Sequence, residues 1–281
     1  MKQDKIEKFG KGTTIQHGEL NQRVYLMKMD KADCPLVIEE INRLARKNKY
    51  TKIFCKVPQS VAPQFMANGF INEAQIPRFY RGTETLFFMS KFLSSDRLLE
   101  IETEQLQEFS KMMTNLNGVP VNGINADPEF HIRKLTPADS EAMAEIYNAV
   151  FKSYPFPIHD PAYIRKTMKN DVQYFGAETN GKLVALASAE VDKKEQNAEM
   201  TDFATIQDFR GKKLSLLLLK EMEKQMTQKG VRTLYTIARL NSIGMNKTFL
   251  RMGYTYSGTT IKNTNIAGNI ESMNIYYKHI A

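Results

Sequence analysis

The stretch at 203–215, FATIQDFRGKKLS, constrains the fold of this chain more than any other. It reads as a strand that runs into a basic turn and straight on into a helix over 214–229. That helix carries Leu214, Leu217, Leu218, Met222 and Met226 on one apolar stripe. Gly230 stops it, and 232–238 reads as the next strand. A strand–helix–strand crossover returns right-handed, so 198–206 and 232–238 should lie parallel and side by side. The strands before them, 172–178 and 182–191, flank Asn180-Gly181, the strongest short hairpin signal, and should be antiparallel. A parallel pair inside an otherwise antiparallel sheet can splay and admit a ligand. Arg210, Gly211, Lys212 and Lys213 stand at the start of the helix, where free amides and the helix dipole favour phosphate. The same four residues would also serve as a plain basic turn opening a surface helix.

Around this centre the second half reads as a strand at 131–134, then a helix opened by Thr136-Pro137-Ala138-Asp139. Met143, Ile146, Tyr147, Val150 and Phe151 form that helix's buried stripe. An aromatic, Pro-rich loop at 154–160 leads to a helix at 161–169. A last helix at 242–252 ends at Gly253, and strands follow at 254–262 and 271–278. In the first half, 1–22 reads as loop or weak edge strand and 23–29 as a strand. Asp33 or Cys34 caps a helix with Pro35 in its first turn. Strand 52–57, a short helix at 60–68, strands 71–80 and 84–92 and one helix over 94–115 complete it. Leu98, Ile101, Leu106, Phe109 and Met113 are available to pack from that helix. The breaker cluster 117–123, NGVPVNG, marks the boundary between domains 1–122 and 123–281. The fold class expected is α+β: a mixed, mainly antiparallel sheet with a splayed parallel pair and helices on both faces.

The chain's 281 residues suit about two domains, and 42% hydrophobic residues supply a core. No apolar run approaches the ~20 residues of a membrane span. The polar N-terminus lacks a signal-peptide core, so a soluble cytoplasmic protein is expected. A net charge of +8 suits an anionic ligand. Lys and Arg are scattered, without a nucleic-acid-binding motif. Cys34 and Cys55 pack as small hydrophobes, and neither they nor His17, His131, His159 and His279 have metal-ligand spacing.

The element order over 130–281 resembles the GNAT N-acetyltransferase superfamily. That family's pyrophosphate loop, R/Q-x-x-G-x-G/A between strand and helix, matches DFATIQDFRGKKLSLLLL, with Arg210 at the first position. Lys213 and Ser215 stand at the two glycine positions. Ser215 is small enough for close approach, whereas Lys213 calls for negative φ or strain. The family's N-x-x-A-x-x-L-Y-x-x-x-G-F is approached by NSIGMNKTFLRMGY, with Phe249 at the position of the frequent catalytic Tyr. Asn241 lies one residue from the family Asn, and Asn246 is a substitute. AEMTDFAT, GMNKTF, GYTYSGT and NTNIAGNIESMNIYYK, with a domain ahead of them, resemble the β-lysine N6-acetyltransferases more specifically. This resemblance implies acetyl-CoA as donor and the side-chain amine of 3,6-diaminohexanoate as acceptor, giving a compatible solute. It implies coenzyme contacts from Phe203, Ala204, Thr205, Arg210, Gly211, Lys212, Lys213, Leu214, Ser215, Asn241, Asn246 and Phe249. The first half also reads as a worn copy of the second. Strand 52–57 and Gly69-Phe70 parallel 232–238 and Gly253-Tyr254, and FFMSKFL parallels SMNIYYK. Asp30-Lys31-Ala32-Asp33 replaces the basic corner, so this copy should not bind coenzyme A.

Amine acetylation needs a proton acceptor, because a lysine-type ammonium has a pKa near ~10.4. Glu199 and Asp202 lie on the strand that faces both ligands. Alternation puts Glu199 on one face with Thr201, Phe203 and Thr205, and Asp202 on the other with Met200 and Ala204. Glu199 is the first choice as base or ammonium anchor and Asp202 the second; either would also fit a solvated strand face. Phe249 cannot donate a proton, which leaves Tyr254, Tyr256, water or an unprotonated thiolate. Glu190, Asn263, Asn265, Glu271 and Ser272 are candidates for the substrate's remaining polar groups. Tyr154 and Phe156 read as a lid or as loop anchors packed into the core. The rival readings are acetylation of another small amine or of a protein lysine, and an acyl-CoA-sensing module without turnover.

Overall fold

The computed structural model describes residues 3–99, 102–116, 128–266 and 268–280. The first half runs β1 (Lys5–Phe9), β2 (Thr13–Gly18), β3 (Arg23–Lys28), α1 (Leu36–Lys47), β4 (Lys52–Pro58), α2 (Ala62–Ala67), β5 (Ile71–Tyr80) and β6 (Glu84–Phe92). Two helices follow, α3 (Ser95–Leu99) and α4 (Thr103–Leu116). The second half runs β7 (His131–Lys134), α5 (Ser140–Val150), α6 (Pro161–Met168), β8 (Val172–Thr179), β9 (Lys182–Asp192), β10 (Asn197–Thr205), α7 (Leu214–Gln228), β11 (Thr233–Arg239), α8 (Ile243–Arg251), β12 (Thr255–Ile266) and β13 (Asn269–His279). The breaker cluster 117–123, the domain boundary placed there and Ile101 lie outside the described residues.

The strands form two sheets, ordered β1-β2-β3-β4-β6-β5 and β7-β8-β9-β10-β11-β13-β12. Position for position, β1 to β6 match β8 to β13. In each sheet one central pair is parallel, β3 with β4 and β10 with β11, and the other pairs are antiparallel. This is the arrangement the repeat reading anticipates. Even an irregularity is shared: β3 carries one extra residue against β2 at Met27, and β10 carries one against β9 between Thr201 and Ala204.

α1 and α2 cover the outer face of the first sheet over Val24, Leu26, Ile53 and Cys55. Its inner face, with Tyr25, Phe54, Ile76 and Phe88, meets Tyr235 and Ile275 of the second sheet. α7 covers the second sheet's far face over Ala187, Ala198 and Leu234. α5 and α6 cover Leu186 and Ala204 beside the first sheet. The edges β5 and β12 approach so closely that a Cβ on Gly258 would sit 2.2 Å from the Glu73 carbonyl oxygen. Burial of both sheets' inner faces, with Phe54, Phe88, Ile76 and Ile275 each at 0% exposure, makes the two halves one folding unit in energetic terms.

Four local expectations are corrected. Residues 1–22 contain a hairpin, β1–β2, hidden from sequence periodicity because β2 buries the polar Thr13, Gln16 and His17. The helix expected over 94–115 is two helices, and Leu98 is exposed. Arg97 turns inward instead, donating to the carbonyls of Lys262 (2.8 Å) and Asn21 (3.0 Å). Asp33 does not cap α1: its carboxylate accepts from the Lys11 amide (2.9 Å) and Thr13 Oγ1 (2.6 Å). The alternation that put Glu199 and Asp202 on opposite faces fails at the β10 bulge. There Asp202 takes φ +54°, and the residues change sides.

Candidate active site

β10 and β11 pair only at Asn197–Thr233, Ala198–Leu234 and Glu199–Tyr235. Beyond that point β11 stays laddered to β13 as far as Arg239–Met273, and β10 stays with β9. The two strands therefore diverge, and the wedge between them starts beside the bulge. A cleft of about 670 Å³ fills the wedge. Asp202, Phe203 and Thr205 line it from β10; Arg210, Gly211, Lys213, Leu214 and Ser215 line it from the corner. Asn241 and Phe249 close the α8 side, and Tyr154 the top.

The corner is built for an anion. Gly211 has φ +84° and Lys213 φ +61°, so Lys213 sits in the left-handed region and takes the strained of the two alternatives expected of it. That turn directs the first amides of α7 outward, and Leu214 and Ser215 have no partner within the helix. Arg210 and Lys213 flank them. Lys247 and Arg251, four apart on α8, add two further cations to the cleft wall that sequence reasoning missed. Three expected contacts fall elsewhere. Lys212 is exposed outside the cleft lining, and Ala204 is buried in the α5–α6 core. Asn246 is fully buried, donating to the carbonyls of Arg239 (3.0 Å), Leu240 (3.2 Å) and Ser242 (2.8 Å). It accepts from Asn274 Nδ2 (2.9 Å) and Tyr276 Oη (2.7 Å), so it clamps the β11–α8 turn from inside.

Phe249 meets Phe203 edge-on at 5.7 Å between ring centroids and stacks with Tyr276 at 5.9 Å. The tyrosines proposed as proton donors do not line the cleft. Tyr254 is buried beside Glu223 of α7; burial and that carboxylate raise its pKa. Tyr256 bonds Thr259 Oγ1 at 2.6 Å and packs on Phe109 of α4. Tyr154 is the tyrosine among the described residues that lines the cleft, and its hydroxyl donates to Asp202 Oδ1. Phe156 packs into the α5–α6 core.

Below the wedge, three carboxylates share one sheet face. Glu190 and Glu199 are direct cross-strand partners, and the bulge brings Asp202 round to join them. Ser188 Oγ donates to Asp202 Oδ2 at 2.5 Å. Burial raises Asp202, with the Ser188 and Tyr154 bonds pulling the other way. Burial also raises Glu199; Lys56, whose Nζ lies 3.9 Å away, and the Tyr235 hydroxyl oppose the rise. Glu190 is pushed up to about 8 by poor solvation and then by its two carboxylate neighbours. The residue is nonetheless exposed to solvent, which moderates that rise. Lys56 and Tyr25 reach this cluster from the first half, across the stacked sheets. Sequence reasoning did not place them there; the one signal was a second lysine late in the apolar strand KIFCKVP.

The other expected substrate residues gather elsewhere. Asn263 O and Thr264 Oγ1 accept from Arg23, and the Asn265 amide donates to Asn21 Oδ1 at 2.7 Å. Glu271 holds Arg239 through two bonds of 2.8 and 2.6 Å, and Ser272 Oγ accepts from the Lys262 amide at 2.9 Å. Arg239 is four residues past Tyr235, roughly 13 Å along the strand, so this cluster joins the halves at the far end of the wedge. Among the described residues there is no group of side chains suited to a metal ion, and no helix is long and apolar enough to cross a membrane.

Residues 141–254 match the model of the acetyltransferase (GNAT) family. A β-lysine N6-acetyltransferase of Methanococcus maripaludis is 43% identical over 94% of this chain and 95% of that protein. Another from Methanosarcina mazei is 31% identical over 84% and 94%, and N-acetyltransferase YodP of Bacillus subtilis is 29% identical over 98% of both. The chain belongs to the GNAT acetyltransferase family. It is an N-acetyltransferase.

Proposed function

We propose that the protein transfers the acetyl group of acetyl-CoA to the side-chain amine of β-lysine, giving N6-acetyl-β-lysine, by direct attack in a ternary complex. The observation that carries this reading is the gathering of Glu190, Glu199 and Asp202 on one face at the closed end of the wedge. A substrate with two ammonium groups finds complementary charge there. The diphosphate of the coenzyme fits the corner, where Arg210, Lys213, Lys247, Arg251 and the first amides of α7 supply positive charge. Bound there, acetyl-CoA supplies an activated thioester carbonyl.

The chain's own residues do the rest. Beyond Glu199 the edge of β10 is released from β11, so its amides face the cleft and can donate to an oxyanion. Glu190, or Glu199 through water, takes the proton from the attacking ammonium. Raising a carboxylate toward the amine's own pKa makes that transfer easier by about 1.4 kcal/mol per unit. Asp202, held by Ser188 and Tyr154, orients the amine. Tyr154 is the tyrosine that lines the cleft among the described residues and can relay a proton to the departing thiolate. Acetylation removes one positive charge from β-lysine and leaves a zwitterion of zero net charge. That suits a compatible solute accumulated in the cytoplasm.

The test is thiol release from acetyl-CoA with a panel of β-lysine, α-lysine, plain diamines and a lysine peptide. The highest kcat/KM should be with β-lysine, and mass spectrometry should place the acetyl group on N6. Turnover with the peptide alone, or acetyl-CoA binding with no turnover of any amine, would overturn the proposal.

A further inference from the structure

We propose that Lys56, on β4 of the first half, binds the carboxylate of the amine substrate, so that the first half selects an amino acid over a plain diamine. This rests on the reading of the site given above. Two lysines interrupt the apolar strand β4, and they are held differently. Lys52 is fully buried, paired with Glu73 at 2.9 Å and bonded to the Ile261 carbonyl at 2.6 Å, so its charge is neutralised within the protein. Lys56 has no carboxylate at hydrogen-bond distance among the described residues. Glu199 is 3.9 Å away, and the ammonium donates to Tyr235 Oη at 3.0 Å. An ammonium has three donors, and the Lys56 side chain keeps 16% of its surface open. Against the pull of burial, Tyr235, Tyr25 and Glu199 hold it charged.

Its position completes a linear pattern. Asp202 stands at the bulge where the wedge opens, Glu190 and Glu199 stand next along the same face, and Lys56 lies over Glu199. Asp202 and Glu199 are three residues apart, at most about 10 Å. A six-carbon chain covers that span. Its reacting amine would lie between Asp202 and Glu190, its second ammonium at Glu199, and its carboxylate at Lys56. Asp202 and Glu199 then answer the two ammoniums and Lys56 the carboxylate, which leaves Glu190 as the base.

The experiment compares β-lysine with 1,4-diaminopentane, which is the same diamine without the carboxylate. It uses the wild type, Lys56→Gln and Lys56→Arg, with melting temperature as a folding control. Wild type should prefer β-lysine. Lys56→Gln should raise KM for β-lysine about 10- to 100-fold, the range for a lost charged hydrogen bond, and leave 1,4-diaminopentane nearly unchanged. Lys56→Arg should restore part of the loss. Equal losses on both amines would show that Lys56 only sustains Glu199, and would overturn the proposal. So would no loss on either amine, or a wild type that takes both equally, a result that needs no variant at all. Wild type inactive on β-lysine but active on another amine would refute the substrate reading instead. The same with-and-without-carboxylate comparison on that amine would then decide for or against Lys56.

Discussion

At the end of β10 the chain turns through Arg210, Gly211 and Lys213 into α7. At the end of β3 it turns through Asp30 and Asp33 into α1. The strand order around the two corners is the same, and so is the extra residue in the strand that leads to each. What differs is which groups occupy the corner. In the first half the turn of the β1–β2 hairpin folds over it. The Lys11 amide and the Thr13 hydroxyl spend themselves on Asp33, and a Cβ on Gly10 would lie 2.0 Å from Asp33 Oδ1. In the second half the corner is open, cationic and continuous with the cleft. The β-frame alone therefore makes no binding site; the charge and the covering at the strand's end decide it. The first half contributes through its inner face instead, bringing Lys56 and Tyr25 to the carboxylates of the second.

The comparison can be broken most sharply by giving the second corner the first one's chemistry. Gly211→Asp adds an anion at a residue with φ +84°. It should weaken acetyl-CoA binding by about 100-fold or more by calorimetry, as expected for a like charge set against a diphosphate, while circular dichroism stays native. Glu190→Gln should lower kcat by about 100-fold with the acetyl-CoA dissociation constant unchanged, the scale of a lost general base. A matching loss of acetyl-CoA affinity would move Glu190 out of the acceptor side. Asn246→Ala strands three carbonyls, Asn274 and Tyr276, and should cost about 3 kcal/mol in urea unfolding.

The pH dependence follows from the raised carboxylates. kcat/KM should climb as pH rises through their folded-state values, Glu190's being about 8. Stability should move the other way. A carboxylate raised on folding contributes stability that is fully present below the unfolded carboxylate range, about 4. That contribution is lost as pH rises through the raised value. Wild type should thus lose melting temperature over this window relative to Glu190→Gln, and parallel curves would contradict the raised value. The smallest effect is expected at the first corner. Asp33→Asn should lower the melting temperature modestly and leave KM for acetyl-CoA unchanged.

Sequence showed the second half well because its signals are local. Asn180-Gly181 turns the β8–β9 hairpin, with both residues at positive φ, and Thr136 with Asp139 forms the capping box ahead of α5. The crossover through α7 and the divergence of its flanking strands followed from the strand–helix–strand order. Less local features were hidden. A bulge adds one residue without marking the composition, so the side that Asp202 faces could not be read from alternation. Asn246 lies in the motif region but is consumed by five bonds that depend on the fold around it. Lys56 meets Glu199, far along the chain from it, only because two sheets stack.

The most direct measurement is a crystal structure of the protein with coenzyme A and β-lysine. The diphosphate should lie against residues 210–215, the pantetheine arm between β10 and β11, and the diamine along Asp202, Glu199 and Glu190. A coenzyme seated in the first half, or a β10 and β11 fully laddered to each other with the wedge empty, would contradict the account.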